Sequence, residues 1–188
     1  MSAQRLCANA LSIVGHPAVL TPLALAAVSL REGPLSAPVF GAIGVAAFVV
    51  AYSALQVTRG RWKDTDASVK QERVELNVFL VLLLGGAAAL AWFTGQPAKV
   101  VTGFALTAAI VVCALALRNV LKLSLHVAFA AFSATLFWPV WPIVLAVMTL
   151  ALAIALARLQ LNRHTMAEVC VGALTGATAG VLLALIAP

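Results

Sequence analysis

The sequence predicts an all-α fold: a single integral membrane domain over residues 1–188, built as a polytopic transmembrane helical bundle of six or seven spans. Composition is the first reason. Of the residues, 63% are apolar and 10% charged, with a mean hydropathy of +1.07, whereas about a quarter of a soluble domain is charged. Run length is the second, because the apolar residues gather into stretches near the ~20 needed to cross a hydrocarbon core as a helix. The third is that these stretches do not alternate. Backbone N–H and C=O groups in lipid must be paired within a helix or a closed barrel, and barrel strands would alternate apolar with polar residues.

Seven apolar segments follow in order: Leu11 to Leu30, Ala37 to Val57, Leu76 to Thr94, Val100 to Leu117, Ser124 to Trp138, Trp141 to Ala157 and Val169 to Ala187. His16-Pro17 and Pro22 interrupt the first, which is why the count is six or seven. The same interruption, without a small-residue cleavage site after a compact apolar core, makes it a retained span and not a secretory signal. Trp138-Pro139-Val140-Trp141-Pro142 reads as a turn at the water interface, where indoles settle and proline ends a helix. Cys7, Cys113 and Cys170 are isolated, so neither a disulfide framework nor a thiolate metal site is expected.

Charge is concentrated. The chain has 12 basic and 6 acidic residues, and half of them fall between Arg59 and Glu75. The other polar points are Arg118 to His126 and Arg158 to Glu168. With alternating spans these three places emerge on one side of the membrane, and that face carries the chemistry. His164 and Glu168, four apart, share one face of the helix that enters the membrane there. A carboxylate behind an imidazole fixes its tautomer and supports its positive form. Arg158 supplies a planar fork of donors suited to phosphate. Lys122, Ser124 and His126 add a cation, a hydroxyl and a second imidazole, and Arg73 a further cation with Lys70 one turn before it. Such a set suits an oxyanion that must be held and attacked. No spacing of His, Cys and carboxylates suggests a metal, so none is expected; His16, apart from these clusters, reads as structural.

These residues resemble the type 2 phosphatidic acid phosphatase superfamily, whose signatures are K-x6-R-P, P-S-G-H and S-R-x5-H-x3-D. The third is matched by Arg158, His164 and Glu168, with Ala157 in the serine position, and is followed by a family-like run from Val169 to Gly176. The second is matched by Ser124 and His126, with Leu123 and Leu125 replacing Pro and Gly. The first is matched only by Arg73: Asp66 stands in the lysine position and Val74 in that of the proline. The resemblance covers roughly residues 59–180. It implies a metal-independent phosphatase without a cofactor, acting in two steps. His164 would attack phosphorus and form a phosphohistidine, Glu168 would orient and charge it, and His126 would protonate the leaving oxygen. Arg73, Arg158 and Ser124 would hold the phosphate, with Lys122, or else Lys70, replacing the missing lysine.

The expected substrate is a lipid phosphate or diphosphate of the polyprenyl diphosphate, phosphatidate or phosphoglycolipid class. The alternatives are a lipid phosphotransferase of the same fold and a catalytically degenerate scaffold or transport protein. The net charge of +6 lies mostly on the site face and suits anionic headgroups without nucleic acid. Gly172, Gly176 and Gly180 let helix backbones approach closely, within the protein or across a homodimer. Basic residues favour the cytoplasmic side. With seven spans, ten lie on the site face and only Arg31 and Lys99 on the other, which places the active site toward the cytoplasm of the cell membrane.

Overall fold

The computed structural model describes residues 3–186, which form eight α-helices and, among the described residues, no strand. The helices are α1 (Ala3–Val14), α2 (Pro17–Glu32), α3 (Ala37–Thr58), α4 (Lys70–Phe93), α5 (Ala98–Ala116), α6 (Leu125–Thr135), α7 (Trp141–Gln160) and α8 (Met166–Ile186). Helices α3, α4, α5, α7 and α8 are each long and apolar enough to cross a membrane. At ~1.5 Å per residue their 19 to 24 residues extend about 29–36 Å, close to the ~30 Å hydrocarbon thickness.

The other two expected spans take different forms. The first apolar segment is broken at Gly15-His16, where α1 and α2 meet at 54° and together make one bent candidate span. Pro17 opens α2, as expected of a residue that lacks an N–H and disfavours a helical conformation in its predecessor. The fifth segment yields only the 11 residues of α6, about 16 Å and too short to cross alone. Every residue of α6 from His126 to Ala134 is buried. It is the core of the bundle, wrapped by α2, α7 and α8. The irregular backbone of residues 136–140 that follows it comes to the surface at Trp138 and Pro139, the stretch read from the sequence as an interfacial turn.

The outer surface has the opposite polarity to that of a soluble protein. Phe40, Phe48, Leu82, Leu152, Leu174 and Leu185 are among many large apolar side chains left exposed, as a lipid-facing belt requires. Trp138 and Trp141 meet edge to face with centroids 4.6 Å apart, both about half exposed, at the end of the bundle that also carries Trp92 and Phe93. Facing the core, the last helix lays its small residues on α6. A Cβ on Gly172 would meet the carbonyl oxygen of Ser124 at 2.7 Å, one on Gly176 would overlap that of Ala128, and one on Gly180 the hydroxyl of Thr135. The glycine stripe is therefore occupied inside the chain, and dimerisation through it would have to displace α6.

Helix α4 begins at Lys70, two turns earlier than hydropathy predicts. The added turns are polar and anchored: Glu72 accepts the backbone N–H of Lys63 at 2.9 Å, and Glu75 accepts the indole N–H of buried Trp62 at 3.2 Å. Trp62 also packs on Tyr52, which stacks on Phe79 at 4.0 Å. Asp64 accepts the backbone N–H groups of Asp66 and Ser68. The loop between α3 and α4 is thus pinned at both ends and turned inward, with Asp66 at its tip.

Candidate functional site

Three loops and the α1–α2 break converge on one end of the bundle. Helix α8 starts with a reciprocal cap: the Glu168 carboxylate accepts the N–H of Thr165 at 3.0 Å, and the Thr165 hydroxyl accepts the N–H of Glu168 at 3.4 Å. The Thr-x-x-Glu spacing is a capping box, a signal present in the sequence but not read from it. The same carboxylate accepts the N–H of Lys122 at 3.1 Å, and the N–H of Ser124 donates to the Glu168 carbonyl oxygen at 3.2 Å. Glu168 therefore holds the start of α6 and the start of α8 together.

His164 is fixed by the same residue. Its Nδ1 lies 3.2 Å from Oε2 of Glu168 and 3.1 Å from the carbonyl oxygen of Lys122. Both are acceptors, so Nδ1 carries the ring proton and Nε2 keeps a lone pair. The side chain is 4% exposed. Burial, together with the nearby Lys122 and Arg158 cations, lowers its pKa from 6.5 to about 4, against the opposing pull of Glu168. These influences favour the uncharged ring near neutral pH.

The cations form a rim. Lys122 Nζ donates to the carbonyl oxygen of Arg163 at 3.0 Å. Burial and the neighbouring Arg73 and Arg158 charges lower the pKa of its ammonium. Arg73 donates to the Ser68 carbonyl oxygen at 3.2 Å. Arg158, buried near the end of α7, donates to Ser12 Oγ at 2.7 Å and to Asp66 Oδ2 at 3.3 Å. Its Nε has no partner among the described residues.

These groups line one end of a cavity of about 1330 Å³ that continues between the helices to Pro34, Lys99 and Trp138 at the far end. His164, His126, Arg158, Arg73, Lys122 and Arg163 all line it. Between the two ends the wall is largely apolar, including Val49, Leu80, Leu84, Phe104, Phe129 and Phe132. Such a space exceeds the roughly 300–1,000 Å³ of an ordinary small-molecule pocket.

Two expected members are placed behind the wall. Glu168 reaches the cavity only through His164. Ser124 is fully buried, does not line the cavity, and its hydroxyl has no partner among the described residues. Of the two lysines that might replace the missing one, Lys122 lines the cavity, whereas Lys70 is exposed and donates to Asn119 at 3.2 Å.

His16, read from the sequence as structural, does cap α2: its Nδ1 accepts the N–H of Ala18 at 3.2 Å. The bend also carries it into the site, edge to face on His126 with centroids 5.1 Å apart. Donor atoms of His16, Asp66 and His126 all lie within 4.8 Å of one another. Sequence spacing gave no hint of this group, because its members come from three separated segments and only the fold joins them.

Neither a family model, a curated protein nor a solved structure matches the chain.

Proposed function

We propose that this protein is a membrane-embedded phosphatase that hydrolyses a lipid phosphate or diphosphate through a phosphohistidine on His164. The observation that carries the reading is the state of His164. One ring nitrogen is held by two acceptors, the other keeps its lone pair, and four cationic side chains surround the cavity end on which it opens. Nε2 attacks phosphorus while Arg158, Arg73 and Lys122 hold the phosphate oxygens. Glu168 stabilises the positive ring as the bond to phosphorus forms. His126, whose buried Nε2 has no partner among the described residues, protonates the leaving oxygen and then takes a proton from the water that releases phosphate. Splitting the displacement in this way lets side chains do the electrostatic work without a metal or a cofactor. The apolar length of the cavity supports a lipid substrate, with its headgroup at the cationic end and its tail among the helices.

The test is phosphate release by the purified protein from phosphatidate, a polyprenyl diphosphate and a phosphoglycolipid. Release from at least one, unaffected by chelator, is expected. An inert protein that still binds these lipids would favour a scaffold or carrier, and transfer to a lipid alcohol would make it a phosphotransferase.

A further inference from the structure

A general acid in this site faces an electrostatic difficulty. To protonate a leaving oxygen His126 must first hold a proton, yet burial and the cations of Arg158 and Lys122 oppose a positive ring. His126 is 9% exposed, so solvent does little to screen them. A carboxylate oxygen of Asp66, the residue occupying the position where a family lysine was expected, lies within 4.8 Å of a ring nitrogen of His126.

We propose that Asp66 and His16 are positioning residues for His126, forming a second histidine–carboxylate couple opposite that of His164 and Glu168. The inference rests on the phosphatase reading. Asp66 balances the imidazolium of His126, and the ring of His16 keeps both in register. The Ala18 N–H donates to Nδ1 of His16, so the neutral ring carries its proton on Nε2. That leaves Nε2–H free to turn to the carboxylate, whose ligand atom lies within 4.8 Å of that of His16, while the ring of His16 meets His126 edge to face. Arg158 donates to the same carboxylate, tying the phosphate clamp to the acid.

The same three residues stand at a spacing that invites a metal, but their hydrogen bonding argues otherwise. A ligating nitrogen needs its lone pair, and Nε2 of His16 is the protonated one. Arg158 also places a cation 3.3 Å from the carboxylate.

The step balances within the chain. As Nε2 of His164 bonds to phosphorus, the bond from phosphorus to the leaving oxygen breaks with its electron pair on oxygen. The proton of His126 passes to that oxygen. Water then attacks phosphorus, gives its proton back to His126, and the phosphorus–nitrogen pair returns to His164.

Leaving-group dependence separates this role from a merely structural one. Farnesyl monophosphate expels an alkoxide, which needs the acid, whereas farnesyl diphosphate, with the same tail, expels a phosphate, which needs it far less. His16→Asn keeps the cap, since asparagine is among the best N-cap residues, and removes the imidazole. Asp66→Asn keeps shape and removes charge. In each variant kcat for the monophosphate should fall at least about tenfold further than kcat for the diphosphate, within the ~10²–10⁴-fold that general acids supply. Equal losses on the two substrates, parental activity in both variants, or activity restored by added zinc would overturn the proposal. A parental protein inert toward both substrates would instead bring down the phosphatase reading itself.

Discussion

Nδ1 of His164 and Oε2 of Glu168 lie 3.2 Å apart, and the carboxylate that orients the ring also caps the helix on which it stands. Orientation and capping are separable by substitution. His164→Ala should abolish phosphate release while the protein remains folded in the membrane, because Glu168 still joins the starts of α6 and α8 through the N–H of Lys122 and its own cap. Glu168→Gln retains the capping geometry, since glutamine also serves in a capping box, but removes the charge that stabilises a positive ring. We expect kcat to fall about 10²–10³-fold, the scale of losing one preorganised electrostatic partner. Acid-labile phosphate trapped on the parental protein and missing from His164→Ala is the direct check; near-parental turnover in that variant would remove the nucleophile assignment.

The lowered pKa of His164 sets the acid limb of the pH profile. With a value of about 4, the ring is neutral and nucleophilic above that pH and becomes protonated below it. Log kcat/KM should therefore stay level as pH falls through 6.5, the ordinary histidine value, and drop with unit slope only near pH 4. The opposing pulls are explicit: burial, Lys122 and Arg158 disfavour the charged ring, while Glu168 favours it. Lys122→Ala removes one of the cations and should move the limb upward. A limb already at 6.5 in the parental protein would mean that burial and the cations do not control this ring.

Helix-bearing segments were legible in the sequence because lipid imposes a simple rule on composition and run length. Ala37 to Val57 and Trp141 to Ala157 became helices with nearly the same bounds. The shortness of α6 was not legible: a helix buried by protein and one buried by lipid both read as apolar. The clustering of Arg158, His164 and Glu168 followed from spacing along two adjoining helix ends. Asp66, His16 and His126 were scattered over three segments, and no local period links them. The burial of Ser124 was likewise not legible. The family signature pairs it with His126 two residues on, yet in the fold His126 lines the cavity while Ser124 is fully buried outside that lining.

Two lysines compete for the role of the missing family cation, and their surroundings differ. Lys122 lines the cavity with its ammonium beside Arg163, whereas Lys70 is exposed against Asn119. Lys122→Ala should raise KM and lower kcat/KM by about one to two orders of magnitude, the range of a charge-assisted contact worth ~1.5–3 kcal/mol. Lys70→Ala should stay within about twofold of the parent, as exposed ion contacts contribute little. Steady-state kinetics on one lipid phosphate decides it; the reverse ranking would transfer the role to Lys70.

The orientation of the site follows from which cations are not needed for chemistry. Arg73, Lys122 and Arg158 belong to the proposed phosphate site and carry no independent topological information. Those left at the same end of the bundle are Arg59, Arg61, Lys63, Lys70, Arg118 and Arg163, against Arg31 and Lys99 at the other. Basic residues in short loops are retained on the cytoplasmic side, so the site end should face the cytoplasm. Thr65 is exposed on the pinned loop beside Asp66 and suits a reporter thiol. All three native cysteines are exposed and must first be replaced. In a background lacking Cys7, Cys113 and Cys170, Thr65→Cys should resist a membrane-impermeant thiol reagent in intact cells and react fully once the membrane is opened. Labelling in intact cells would turn the site outward, and the cationic loop would then have been kept for phosphate binding against its topological preference.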